Sequence, residues 1–285
     1  MKTLDAYRRL FRIEHAFMLS FAVVLAILIA SNGALLPAVA VVAAAFAVPF
    51  FIEMGSFALN DYFDVKTDKE NKRGDRPIAS DEISLQAALA AAAISYAVGI
   101  AASFALPAIC TLIAVVFAIL SIAYNWKLKD LPLVGNAYIA ASMAIPFLFG
   151  DLVVSGSLHA SLLAIAAVAF VAGLGREIIK STEDVEGDVK HRKSKTLPAI
   201  IGKKNSACIA AALYLALVPL SFLPFVYGLR LNTLSIGMVA LTALSFAYMG
   251  YSAAKEQDNA SLEAVRKASL LALGIGLLGY ATSLI

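Results

Sequence analysis

Two clusters of carboxylates stand out in a chain that otherwise avoids charge. The first is Asn60-Asp61-Tyr62-Phe63-Asp64-Val65-Lys66-Thr67-Asp68, and the second is Asp184-Val185-Glu186-Gly187-Asp188, with Glu177 two turns earlier. Asp61, Asp64 and Asp68 are spaced i, i+3, i+7, so a continuous helix carries them on one face. Like charges at that spacing repel, and carboxylates at a helix C-terminus oppose the macrodipole. Two segments that accept both costs call for a cation, and clustered carboxylates with water and substrate phosphate are how proteins hold Mg²⁺. A lone Asp-x-x-x-Asp reads as a solvated helix end. Two such motifs, each followed by a basic stretch, do not.

The basic stretches point to the other half of the ligand. Asn71-Lys72-Arg73-Gly74-Asp75-Arg76-Pro77 follows the first motif, and Arg176, Lys180, Lys190, Arg192 and Lys193 flank the second. Arg and Lys are the usual partners of phosphate, so carboxylates for metal beside cations for phosphate fit a diphosphate better than either set alone. Arg76, Lys129 and Lys180 are the candidate phosphate contacts. Glu53, two turns inside the apolar stretch before Asn60, either lines a cavity or bonds a neighbouring helix. No general base emerges, since His15, His159 and His191 stand alone in the sequence.

The elements that must position these groups are membrane spans. The 285 residues are 61% hydrophobic and 15% charged, against about a quarter charged in soluble domains. Nine stretches reach the roughly 20 apolar residues needed to cross a bilayer: 17–36, 38–63, 84–104, 106–124, 136–154, 158–183, 206–226, 231–253 and 264–284. The expected fold is all-α, a polytopic bundle of about nine transmembrane helices forming one domain over 1–285. Residues 17–36 are too long and too mixed in flanking charge for a cleaved leader. Residues 4–13 have helical spacing and are expected to lie in the interface. Cys110 and Cys208 have no paired spacing and are expected to be buried packing residues.

With a cytoplasmic N-terminus, every Lys and Arg except Arg230 falls in an inner segment or helix end. That is the positive-inside distribution, and it places both acidic motifs on the cytoplasmic side of a multi-pass protein of the cell membrane. Most acidic residues share that side, although the rule makes no demand on them. No nucleic-acid partner is expected. A cation-coupled transporter is the rival from another class, but transporter sites lie near the midplane on interrupted helices, and these acids sit at helix ends.

On these residues the chain resembles the UbiA-type family of intramembrane prenyltransferases over nearly its whole length. Asn60-Asp61-x-x-Asp64-x-x-x-Asp68 is similar to the family's first motif and Asp184-x-Glu186-Gly187-Asp188 to its second. Asn71 with Arg76-Pro77, and Tyr124-Asn125-Trp126-Lys127-Leu128-Lys129 with Gly135-Asn136, resemble its other cytoplasmic signatures. The run Arg176-Glu177-Ile178-Ile179-Lys180 most resembles the archaeal branch that joins a second geranylgeranyl group to geranylgeranylglyceryl phosphate. The resemblance implies Mg²⁺, a prenyl diphosphate donor, a lipid-phosphate acceptor and contact with membrane lipids, with an aromatic acceptor such as 4-hydroxybenzoate as the alternative. It implies Asp64, Asp68, Asp184 and Asp188 as catalytic residues, with Asn60 and Asp61 joining them at the metal. Asn71, Arg76, Tyr124, Lys129, Arg176 and Lys180 join Asn60 in substrate binding. One position departs from many relatives: Ser181 stands where they carry an Asp.

Overall fold

The computed structural model describes residues 2–32, 37–70, 72–187 and 195–284. Apart from short turns and one 3₁₀ segment, every element is α-helical. In chain order they are α1 (Lys2–Phe11), α2 (Ile13–Ala30), α3 (Val39–Glu70), α4 (Leu85–Ser103), α5 (Ala108–Trp126), α6 (Val134–Ser155), α7 (Ala160–Gly187), α8 (Leu197–Ile201), α9 (Lys203–Leu220), α10 (Leu223–Val226), α11 (Thr233–Lys255) and α12 (Asn259–Thr282). Among the described residues nine helices are long and apolar enough to cross a membrane, which bears out the nine stretches. The boundaries move where polar residues continue a helix. The first span begins at Ile13 and ends at Ala30, earlier at both ends than 17–36. The second runs on to Glu70, because the acidic motif itself is helical.

The chain divides into two compact units. The first holds α1, α2 through Ile27, α3, α4, α5 and the end of α6 from Phe149. Its core joins Val23, Ile27, Val48, Ile52, Ala92, Tyr96 and Phe149. Small residues let these helices approach closely. A Cβ on Gly99 of α4 would lie 3.1 Å from the Val48 carbonyl of α3, and one on Gly150 of α6 only 2.6 Å from the Val23 carbonyl of α2. The second unit holds α6 through Leu148 and α7 to α12. Its core gathers Ile178, Ile179, Tyr214, Leu217, Phe246 and Leu262.

Helix starts follow the sequence locally. Ser84 accepts the Ala87 N–H at the start of α4, and Asp258 accepts the Ser261 N–H at the start of α12. Asn232 and Ser235 form a reciprocal capping box on α11. The helix at the N-terminus forms as expected, with Ala6 and Leu10 enclosed in the first unit's core and Leu4 exposed. One expectation changes. Cys110 is buried as expected, whereas Cys208 is exposed, beside the outward-facing Ile209 of α9.

The close contact at Gly150 makes a prediction. Gly150→Ala places a methyl against backbone that cannot swing aside, and should lower the thermal midpoint in detergent at a cost of about 1–3 kcal/mol. Gly237→Ala in α11, where an added Cβ meets nothing within 4 Å, should hold or raise the midpoint, because Ala is the better helix former by roughly 0.5–1 kcal/mol. Melting curves of the two purified variants check both signs.

Candidate active site

In the first unit the acidic motif occupies the last turns of α3, with Asp61 1% exposed and Asp64 and Asp68 each 8% exposed. Asp61 is neutralised from two directions. Its Oδ1 accepts from Arg12 at 2.8 Å and from Arg76 at 3.0 Å, while its Oδ2 is enclosed without a hydrogen-bond partner. Arg12 sits in the break between α1 and α2 with φ of +43°, a conformation that costs a non-glycine residue energy and persists only when its surroundings enforce it. Its guanidinium lies 4.4 Å from the centroid of the Phe57 ring, a cation–π contact, and also donates to Asn60 Oδ1 at 3.3 Å. Arg12 is therefore fixed by a ring, a carboxylate and an amide at once.

Asn60 is turned toward its own motif. Its Nδ2 donates to Asp64 Oδ2 at 3.1 Å and to Asn125 Oδ1 of α5 at 3.1 Å. The loop that follows α3 is laced to α1. Arg9 donates to Glu82 at 2.6 Å and to the Asp75 carbonyl at 3.4 Å. Arg73 grips Asp75 with two bonds of 2.8 Å, and that guanidinium holds the Asp75 carboxyl below the usual carboxylate range. Arg76 is thus delivered to Asp61 by a loop already anchored on both sides. Glu53 is half-buried on α3.

In the second unit the counterpart is the end of α7. Asp184 is exposed. Glu177, 5% exposed, accepts from Arg176 at 3.0 Å and from Lys180 at 3.5 Å, so one carboxylate orients both cations. Ser181 accepts from Asn136 of α6 at 2.9 Å, so the hydroxyl preserves the acceptor that an Asp would offer there. Arg266 of α12 grips Glu183 at 2.7 and 3.3 Å, and Lys203 of α9 pairs with Glu186 at 2.8 Å. Lys129 is half-buried in this unit, and Tyr124 is half-buried in the first. Asn71 and Asp188, with Lys190, His191, Arg192 and Lys193, lie outside the described residues.

The structure thus brings Asn60, Asp61, Asp64 and Arg76 together in one unit, and Arg176 and Lys180 around Glu177 in the other. Sequence reading counted Arg12 only as a basic residue of the inner face. The available signal was its place at a helix break one residue before an apolar span. Asn125 and Asn136 were visible only as parts of signatures.

Among the described residues, no group of three or more His, Cys, Asp or Glu side chains converges into a ready-made metal cage. Magnesium takes one or two protein carboxylates and completes its shell with water and substrate phosphate. Asp64 and Asp68, one turn apart, and the exposed Asp184 are oxygen donors of the right type. Asn60 Oδ1 and Asp61 Oδ1 already accept from arginines, whereas Asp61 Oδ2 has no hydrogen-bond partner.

Comparison with known proteins agrees with this picture. The profile of the UbiA prenyltransferase family matches residues 18–273. The chain is 33% identical to the digeranylgeranylglyceryl phosphate synthase of Archaeoglobus fulgidus, covering 98% of this chain and 97% of that one. It is 34% identical to the Methanopyrus kandleri enzyme of the same name, covering 98% and 99%. Among solved structures, one of digeranylgeranylglyceryl phosphate synthase in membranes superposes with a TM-score of 0.82 at 28% identity, covering 100% of this chain and 99% of that one. A UbiA homolog from Archaeoglobus fulgidus bound to GPP and Mg²⁺ shares the fold, with a TM-score of 0.72 at 19% identity over 96% of this chain and 99% of its own. With the match running through the helices of both units and both acidic motifs, the chain belongs to the UbiA prenyltransferase family.

Proposed function

We propose that this multi-pass membrane protein transfers a geranylgeranyl group from geranylgeranyl diphosphate to the free hydroxyl of geranylgeranylglyceryl phosphate, releasing diphosphate. The observation that carries the choice of substrates is the near full-length identity to archaeal enzymes named for that product. The Lys and Arg distribution supports an inner-face site with a cytoplasmic N-terminus.

In the reaction the allylic C–O bond breaks and its electron pair leaves on the diphosphate. The acceptor oxygen then bonds to the allylic carbon and gives up its proton. Magnesium, when bound, neutralises charge on the leaving group. Asp64 and Asp68 would hold it at the first motif, and Asp184, with Asp188 as the remaining candidate, would do so at the second. Arg76, Lys129, Arg176 and Lys180 supply fixed positive charge for phosphate oxygens, and Asn71 and Tyr124 complete the proposed substrate contacts. Asp61 keeps Arg12 and Arg76 in place, and Glu177 does the same for Arg176 and Lys180. The apolar helices accommodate the isoprenoid chain and keep water from the electron-poor carbon.

Two experiments test this reading. Asp64→Ala and Asp184→Ala, assayed in membranes at saturating Mg²⁺, should each lose activity by about 10–100-fold or more. Near-normal turnover in both would remove the metal assignment. Purified protein given geranylgeranyl diphosphate and Mg²⁺ should form product with geranylgeranylglyceryl phosphate and none with 4-hydroxybenzoate. Product with the aromatic acid alone would reverse the choice of acceptor.

A further inference from the structure

Asn125 lies in the last turn of α5, 1% exposed, and every arm of its amide is committed. Its Nδ2 donates to the Ser121 carbonyl at 2.9 Å, and to the carbonyl and hydroxyl of Ser56 on α3 at 3.2 and 3.4 Å. Its Oδ1 accepts the Asn60 amide at 3.1 Å. The reversed orientation would aim the oxygen at two carbonyls, so the amide has one acceptable setting. That setting dictates the next. With Asn125 Oδ1 taking one Asn60 proton and Arg12 facing the Asn60 oxygen, the second Asn60 proton goes to Asp64 Oδ2. Behind Asn125, Ser121 Oγ meets the Tyr96 hydroxyl of α4 at 2.6 Å. Helices α3 and α5 are thereby tied by a polar chain that ends on a motif carboxylate, and the Tyr96 contact stands beside it.

We propose that Asn125 is a positioning residue for the first acidic motif: acting through Asn60, it sets the direction of the Asp64 carboxylate, so that metal affinity at Asp64 depends on a side chain from another helix. The proposal rests on the reading of Asp64 as a magnesium ligand. Outer partners that orient metal-binding side chains matter in this way generally, and their loss costs about 10–100-fold in affinity. Low dielectric strengthens each bond of such a chain and makes a broken one expensive. Without Asn125 the Asn60 amide loses the acceptor that fixes it, and Asp64 loses a directed donor.

The test uses the full chain in detergent with Mn²⁺ as the probe. Free Mn²⁺ is read by electron paramagnetic resonance in the presence of a non-reactive thiolo analogue of the diphosphate donor, and melting curves are taken without metal. Asn125→Ala should weaken Mn²⁺ binding by about 10–100-fold. Ser121→Ala removes the Tyr96 contact but keeps the carbonyl that Asn125 uses, so it should shift the melting curve and leave Mn²⁺ affinity unchanged. If Asn125→Ala does not fold, Asn125→Thr carries the same expectation of weakened binding. Its hydroxyl satisfies the carbonyl four residues back and is too short to reach Asn60. Equal Mn²⁺ affinity in wild type and Asn125→Ala, or Asn125→Thr in its place, overturns the proposal. So does a loss in Asn125→Ala and Ser121→Ala that merely follows their melting points. Wild-type affinity in Asp64→Ala would instead sink the metal reading of Asp64, and this proposal with it.

Discussion

The first unit depends on the need to neutralise a carboxylate where water is scarce. Asp61 is enclosed almost completely, and an isolated charge in such a place is so costly that it survives only when paired and hydrogen-bonded. Two guanidiniums meet that need, and each imposes its own demand on the chain. Arg12 requires a strained break between α1 and α2. Arg76 requires the loop after α3 to fold back, held by Arg9, Glu82, Arg73 and Asp75. The arrangement of α1, α2 and the 72–84 loop is thus largely the geometry of satisfying one acid.

The second unit solves a similar problem with the same signs. There a buried glutamate, Glu177, gathers Arg176 and Lys180, and the acid at the helix end is left exposed. One acidic motif is enclosed and preset by its neighbours, while the other presents Asp184 outward with its flanking acids tied off by Arg266 and Lys203. Magnesium does not need a closed protein cage.

The sequence was most informative where the physics is local. Apolar length set the spans, the i, i+3, i+7 spacing set the face of the first motif, and the segregation of Lys and Arg set an expected orientation. It was least informative where partners are distant along the chain. Nothing near Arg12 announces that it will meet Asp61, 49 residues later, and nothing near Asn125 announces Asn60, 65 residues earlier. Span ends shifted because charged residues such as Lys66 and Lys69 continue a helix as readily as they end one. Cys208 was misplaced because apolar character in a membrane protein does not distinguish inward from outward faces.

The strained turn at Arg12 also bears on the order in which the protein is made. Of the three charges in the Asp61 cluster, Arg12 is synthesised first, Asp61 second and Arg76 last. An acid borne near the end of a long apolar helix is a burden during insertion, and here its first counter-charge precedes it into the membrane surface while the second arrives only once the helix is complete. The nascent chain therefore never presents Asp61 to the bilayer before a cation has been made for it, and the final arginine closes the cluster only after α3 has reached its full length.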